Sequence, residues 1–355
     1  MPGDKMKLLL AAGGTGGHIW PAVSFGRWIK RFHPECEVSY ICGSRPLELE
    51  IYKAAGISPL VLPAEGSPLS GSFVQKCRRT AHLFGSYAAA RREIVRFRPD
   101  AALLFGGYLS FPLIAACRAA KVRCAMHEQN ARAGKVTRFA ARLGLEIYSG
   151  WRECAPLSEK HYLYTGVPVR DFGHLSRKEA WRKTGIPADL PEGTIAVAFT
   201  GSLGSGSVRD VISGLAEKEC FSGWTFILPA VAEKTERVCP NVWVMPKVWD
   251  PAPLFSAVDV LIVRAGGSTL TEAAASGAPA LVIPWRGAAD DHQYYNALAF
   301  VSENGGLIWS AEDGAEELEP SLLRLGEMCA ARDRVPSGGR SRAICENLWS
   351  ALWSR

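Results

Sequence analysis

The sequence predicts an α/β protein built as two doubly wound, Rossmann-like domains facing a cleft. Three observations carry that expectation. Short apolar runs alternate with helical stretches along the chain, the pattern of a parallel sheet covered by crossover helices. The pattern starts afresh after Gly166 and Pro168, which punctuate the chain near its middle. In each half an apolar strand runs into a glycine-rich turn that opens a helix. A chain of 355 residues suits two cores better than one. We place the domains at residues 1–165 and 166–355, and expect the last helix, about 340–355, to pack back on the first domain. Ligands of such sheets bind outside the strand C-termini, which here puts them at the cleft.

In the first half, residues 7–12 read as a strand, 18–31 as a helix, 38–41 as a strand, 46–55 as a helix and 60–62 as a strand. A long helix follows over Phe73–Phe97, then a strand at 101–104, a helix at 111–120, and strands at 123–126 and 146–148. In the second half, 195–199, 225–228, 242–245, 258–263 and 280–283 read as strands, with helices including 208–217 and 269–276. The uncharged run 101–117 is divided by Gly106, Gly107 and Pro112, so it reads as strand, loop and helix rather than a membrane span.

Composition bounds the partners. The net charge of +6 is split unevenly: residues 1–165 carry 23 Lys+Arg against 12 Asp+Glu, and residues 166–355 carry 18 against 23. A basic first half points to an anionic surface, whether membrane lipid, nucleic acid or a phosphorylated substrate. The helix Phe73–Phe97 concentrates it: Lys76, Arg78, Arg79, Arg91, Arg92 and Arg96 stand against Glu93, with Phe73, Val74, Leu83, Phe84 and Tyr87 interleaved. That mixture reads either as a membrane-interfacial surface or as a core helix with a solvated basic face. The ten cysteines form no C-x-x-C pair or zinc-like spacing, so we expect free thiols and a cytosolic setting.

Four clusters carry polar chemistry. Gly13-Gly14-Thr15-Gly16-Gly17-His18 ends the first strand. Its glycines permit a sharp turn and close approach to a ligand, and the helix N-terminus offers unpaired N–H donors to an anion. His18 suits general-base work near neutral pH, or simply starts the helix. The counterpart, Arg264-Ala265-Gly266-Gly267-Ser268-Thr269-Leu270-Thr271-Glu272, either holds a diphosphate or is a helix start capped by Thr269 and Glu272, which have capping-box spacing. His127-Glu128-Gln129-Asn130 places four polar groups at a strand end, where burial without partners is costly. Asp291-His292-Gln293 opens another helix, as caps or as readers of sugar hydroxyls.

Taken in order with Gly106-Gly107-Tyr108, Gly166 with Pro168-Val169-Arg170, Gly201-Ser202, and Asn296-Ala297, these motifs make nearly the whole chain resemble the MurG family. Those are UDP-N-acetylglucosamine transferases of the GT-B type, with two Rossmann domains. The resemblance implies that the second half binds the UDP-sugar. Val248 would meet the uracil. Gly267, Ser268, Thr269, Leu270, Thr271 and Glu272 would hold diphosphate and ribose, with Arg264 neutralising charge. Gln293 would read the GlcNAc hydroxyls, and Ser202 and Arg170 would lie near the nucleotide. In the first half, Thr15, Gly16, Gly17, Tyr108 and Asn130 would face the acceptor and the reacting sugar, with His18 and Glu128 as the catalytic pair.

The implied acceptor is a lipid-linked MurNAc-pentapeptide at the cytoplasmic face of a bacterial plasma membrane, reached as a peripheral protein through the basic first domain. No nucleic acid, cofactor or metal is implied, and the chain has no Asp-x-Asp motif. Three positions depart from the family pattern: Val167 stands for an Asn, Leu203 for a Gln, and Phe111 for a Gly. A lipid glycosyltransferase with another acceptor and a UDP-GlcNAc 2-epimerase of the same architecture are the rival expectations.

Overall fold

The structure is a computed structural model and describes residues 6–66, 72–172, 175–199, 206–310, 315–330 and 338–354. It divides into two units, Met1–Val169 with Arg342–Arg355, and Arg170–Ser341.

The first unit is a seven-stranded parallel sheet. Its strands are β1 (Lys7–Ala11), β2 (Glu37–Cys42), β3 (Leu60–Val61), β4 (Ala101–Leu104), β5 (Arg123–Glu128), β6 (Glu146–Ser149) and β7 (Leu163–Tyr164). They lie in the order β3-β2-β1-β4-β5-β6-β7, so the winding reverses between β1 and β4. β1 is central, and Leu8, Leu9 and Leu10 are wholly buried. A strand covered on both faces reads as a continuous apolar run, which is why it was legible. The strand expected at 123–126 continues through His127 and Glu128, which pair in register with Tyr148 and Ser149. The apolar run ends before the hydrogen-bond ladder does. The edge strand β7, two residues long, carries no readable alternation.

Four helices of this unit matter below: α1 (Gly16–Phe32), α2 (Pro46–Ala54), α3 (Phe73–Phe97) and α4 (Ser110–Ala120). With α5 (Lys135–Arg142) they cover the sheet. The α3 start is fixed by a capping box, Ser72 accepting from Gln75 N while Gln75 accepts from Ser72 N.

The second unit is also seven-stranded. Its strands are β8 (Thr194–Phe199), β9 (Trp224–Leu228), β10 (Glu236–Cys239), β11 (Val242–Val244), β12 (Val260–Arg264), β13 (Ala280–Ile283) and β14 (Leu307–Ile308), in the order β10-β11-β9-β8-β12-β13-β14. Only β10 runs antiparallel among these pairings. Helix α6 (Arg177–Thr184) carries a second capping box, Ser176 with Glu179. The helices α7 (Gly206–Ala216), α8 (Ala252–Ala257), α9 (Gly267–Ser276), α10 (His292–Asn304) and α11 (Leu318–Ala330) complete it. The turn and helix after β12 start two residues earlier than expected, because Gly267 and Ser268 already have helical geometry.

The last helix, α12 (Gly338–Trp353), contributes Arg342 onward to the first unit. Leu348 and Leu352 are wholly buried, and Trp349 stacks on His33 with ring centroids 4.1 Å apart. Arg123 donates to the Leu352 carbonyl, and the Tyr148 hydroxyl donates to the Ala351 carbonyl at 3.2 Å. This anchoring is apolar at its centre. Leu348→Ala should therefore cost about 3 kcal/mol of stability, as for other buried leucines. Urea unfolding checks it, and a change below about 0.5 kcal/mol would mean that the helix end is not part of the core.

Candidate functional site

In the first unit the site residues gather at the C-terminal ends of β1, β4 and β5. The turn after β1 carries Gly14 at φ +99°, a conformation that favours glycine. After β4, Gly106 and Gly107 also have positive φ. A Cβ on Gly107 would sit 2.9 Å from the Gly13 carbonyl oxygen, so the two glycine turns pack backbone to backbone.

A carboxylate buried among them holds this arrangement. Glu48 of α2 is wholly buried. It accepts from Gly14 N at 2.8 Å, from Gly43 N at 2.7 Å and from the Tyr108 hydroxyl at 2.6 Å. Hydrogen bonds to an ionised acceptor are the strong ones, and removing the acceptor would strand three buried donors. Glu48 was not singled out in the sequence. The signal was available: Glu48, Ile51 and Tyr52 share the buried face of α2 at helical spacing.

Tyr108, expected to face substrate, is 7% exposed, donates its hydroxyl to Glu48, and has its ring under the Arg45 guanidinium at 4.8 Å. It shapes the turn from behind. Thr15 is exposed, whereas Gly16, Gly17 and His18 are half-buried in the first turn of α1. His18 Nδ1 lies 2.6 Å from Gln129 Oε1.

Glu128, expected to share catalysis with His18, is 4% exposed, and both of its carboxylate oxygens accept hydrogen bonds. One oxygen accepts from Asn130 N at 3.0 Å and Asn130 Nδ2 at 2.9 Å. The other accepts from Gly134 N at 3.0 Å and from the Thr137 hydroxyl. With four hydrogen bonds the carboxylate braces the loop that follows β5. Glu128 thereby fixes Asn130, which is half-buried at the end of β5. His127 is wholly buried, its Nε2 2.8 Å from the Gly166 carbonyl oxygen and its ring stacked on Phe105. Burial lowers its pKa from 6.5 to about 4. Val167, a departure from the family pattern, is wholly buried against Gly150.

In the second unit the expected nucleotide residues meet around α9. The capping-box reading fails: the N-cap is Gly266, no side chain caps the helix, and Thr269 lies inside it. Leu270 N is the first amide to reach an acceptor in the helix, Gly266 O at 2.9 Å. The N–H groups of Gly267, Ser268 and Thr269 precede it and have no intrahelical acceptor. Of the other residues expected to hold the nucleotide, Leu270 is wholly buried with its N–H on Gly266 O, and the Thr271 hydroxyl donates back to Gly267 O at 3.0 Å.

Glu272 turns to Arg170, whose Nε donates to its Oε1 at 2.7 Å. Arg170 Nη1 also donates to the Trp249 carbonyl at 3.0 Å, beside half-buried Val248. Burial raises the Glu272 pKa, and Arg170 opposes the shift. Three residues distant in sequence are thus tied into one cluster, with Asp250 at its rim. Arg264 ends β12, half-buried, its Nη1 3.4 Å from the Ile283 carbonyl oxygen. Gln293 accepts from Trp285 N at 2.9 Å through its carbonyl oxygen, which leaves its NH2 end for other partners. Asn296, wholly buried, ties α10 to the turn by donating to Ala265 O at 2.9 Å. Ser202 and Leu203 lie outside the described residues.

Comparison with known proteins shows the family of the chain. The glycosyltransferase family 28 N-terminal domain matches residues 8–149, and the family's C-terminal domain matches residues 230–333. A relative from Desulforudis audaxviator is 31% identical, aligned over 96% of each chain. One from Carboxydothermus hydrogenoformans is 30% identical over 90% of this chain and 89% of its own. Both are named UDP-N-acetylglucosamine–N-acetylmuramyl-(pentapeptide) pyrophosphoryl-undecaprenol N-acetylglucosamine transferases. Among solved structures, Acinetobacter baumannii MurG superposes with a TM-score of 0.68 at 22% identity, covering 99% of this chain and all of its own. A UDP-GlcNAc 2-epimerase from Neisseria meningitidis reaches 0.67 at 15% identity with the same coverage. That likeness is one of fold.

The buried His127 imidazole makes stability depend on pH in a defined direction. The unfolded chain takes up its proton near pH 6.5 and the folded chain near pH 4, so the unfolded state binds more protons in that window. Stability from this group is complete above about pH 6.5 and falls as the pH drops toward 4, by about 3 kcal/mol in total. Urea unfolding of the wild type and His127→Asn across this range should show a shallower acid loss in the variant. Parallel curves would mean that the imidazole does not titrate between the two states.

Proposed function

Since the chain belongs to glycosyltransferase family 28, and within it to the MurG transferases, we propose that it moves N-acetylglucosamine from UDP-N-acetylglucosamine to the C4 hydroxyl of undecaprenyl-diphosphate-MurNAc-pentapeptide. The reaction converts lipid I to lipid II in peptidoglycan synthesis. The observation that carries this reading is the continuous similarity, over 96% of both chains, to a transferase of that name.

The residues fit an inverting displacement. The acceptor hydroxyl gives its proton to His18, its oxygen bonds to C1 of the sugar, and the C1–oxygen bond to the diphosphate breaks with its electron pair leaving on UDP. A positioned base contributes about 10²–10⁴-fold to such a step. The diphosphate belongs at the free N–H groups of Gly267, Ser268 and Thr269, where the helix dipole and Arg264 stabilise the leaving charge. Arg170 holds one Glu272 oxygen and leaves the other for the ribose hydroxyls. Val248 meets the uracil, and the Gln293 amide donates to the sugar.

We assign membrane contact to α3. Phe73, Val74 and Phe84 are 80%, 74% and 73% exposed, and Arg78, Arg91 and Arg92 are exposed on the same helix. Apolar anchors with interleaved cations suit an anionic lipid surface at the cytoplasmic leaflet. Among the described residues no helix is long and apolar enough to cross a membrane.

The test supplies labelled UDP-GlcNAc with a panel of lipid acceptors and with none. Label should pass to lipid-linked MurNAc-pentapeptide, and His18→Ala should lower kcat by about 10²–10⁴-fold with UDP affinity nearly unchanged. Label on a different lipid, or epimerised UDP-sugar without any acceptor, would overturn the reading.

A further inference from the structure

Gln129 lies between two imidazoles, and its surroundings determine where every proton in the row must sit. Its Nε2 is 2.7 Å from the His127 backbone carbonyl oxygen and 3.0 Å from His127 Nδ1. A carbonyl oxygen only accepts, so the atom facing it must be the amide NH2. The Gln129 carbonyl Oε1 is then the atom that faces His18 Nδ1 at 2.6 Å. An amide oxygen also only accepts, so His18 Nδ1 must carry the hydrogen. His127 is fixed the same way: its Nε2 faces the Gly166 carbonyl oxygen and is protonated, which leaves its Nδ1 to accept the second amide hydrogen. The amide has little freedom to turn over. Gln129 is 2% exposed, and its backbone carbonyl accepts from the Trp151 indole at 2.9 Å.

We infer that Gln129 is the positioning residue of the base: it holds His18 in the Nδ1–H tautomer, so that Nε2 is the basic atom. The role resembles that of the amide beside the histidine in papain-like cysteine proteases, with the second imidazole added behind it. Neutral imidazole has one basic nitrogen, and a base whose lone pair faces the protein cannot take a proton from substrate. His127 serves the row only while neutral, because an imidazolium would have no lone pair for the Gln129 amide. Its complete burial keeps it so at neutral pH.

Among the described residues, the elements packed near the His18 ring bring the following groups. Gly106 packs against it from the turn after β4, with a built Cβ only 3.4 Å from Cε1. The first turn of α1 has no acidic residue. From β5 come His127, reached through the amide, and Glu128, whose carboxylate is turned to Gly134 and Thr137. Glu48 of α2 is spent on Gly14, Gly43 and Tyr108.

This inference rests on the transferase reading for what Nε2 does, but not for the tautomer, which is measured without substrate. Nitrogen-15 NMR of histidine-labelled protein, with His18 assigned by its loss in His18→Ala, should show Nδ1 protonated and Nε2 bare at neutral pH. An Nε2–H signal for His18 in the wild type overturns the proposal outright, whatever the transfer assay gives. Gln129→Met keeps the bulk and removes both hydrogen bonds. It should abolish the single tautomer and lower kcat by about 10- to 100-fold while leaving the KM for UDP-GlcNAc within about 2-fold, a loss that reaches at most the lower end of the roughly 10²–10⁴-fold a positioned base contributes, because the base is misoriented rather than removed. Gln129→Glu can still accept from Nδ1–H. It should keep the tautomer and move the acid limb of the kcat profile to higher pH wherever the carboxylate is ionised. Activity falling equally in both variants, with the tautomer unchanged in each, would make Gln129 a packing residue and contradict the inference.

Discussion

Glu48 is a carboxylate with no exposure to water, and it accepts from two backbone N–H groups and a phenol. Those donors belong to three separate turns: Gly14 follows β1, Gly43 follows β2 and Tyr108 follows β4. Parallel strands deliver the turns to one end of the sheet, but nothing in strand pairing holds them in register with each other. The carboxylate does that. It fixes the Gly13–Gly14 corner on which α1 begins, and α1 carries His18. Glu128 repeats the device on the other side, tying Asn130, Gly134 and Thr137 to the end of β5. The candidate base meets neither carboxylate in a hydrogen bond among the described residues, and its own partner is a neutral amide.

The two glycine turns have similar sequences and different uses. In the first unit the N–H of Gly14 is already taken by Glu48, and the helix that follows presents an imidazole. In the second unit the turn after β12 presents the three leading N–H groups of α9, and Glu272 of the same helix faces Arg170 instead of the helix start. An anion fits the second arrangement, because the dipole and the unpaired donors are both available there.

Much of this was legible in the sequence. Strands buried on both faces announced themselves as apolar runs, and the glycine turns marked strand ends. Side-chain destinations were less legible. The family resemblance puts Tyr108 at the substrate, and for Glu128 its place among polar groups at a strand end points the same way. Both turned inward, since a polar group near a strand end can find a partner inside the protein as readily as in a ligand. Leu270 and Thr271 were included with their neighbours because a motif gives positions in a row, while a helix rotates every side chain by a hundred degrees from the last. Conversely, the capping-box spacing of Thr269 and Glu272 fitted a helix starting two residues later than it does. Glu48 escaped notice, and Gln129 stood out only as one of four polar groups in a row, for one reason: the partners of each lie far along the chain, and local spacing can mark a buried face without naming the groups met there.

The central claim is that the donor diphosphate rests on the second glycine turn and not the first. Titrating UDP into amide-labelled protein and following backbone N–H resonances tests this directly. The account predicts large shifts at Gly267, Ser268 and Thr269, with Gly13, Gly14, Gly16 and Gly17 nearly still. Shifts concentrated at the first turn, with the start of α9 unmoved, would contradict it.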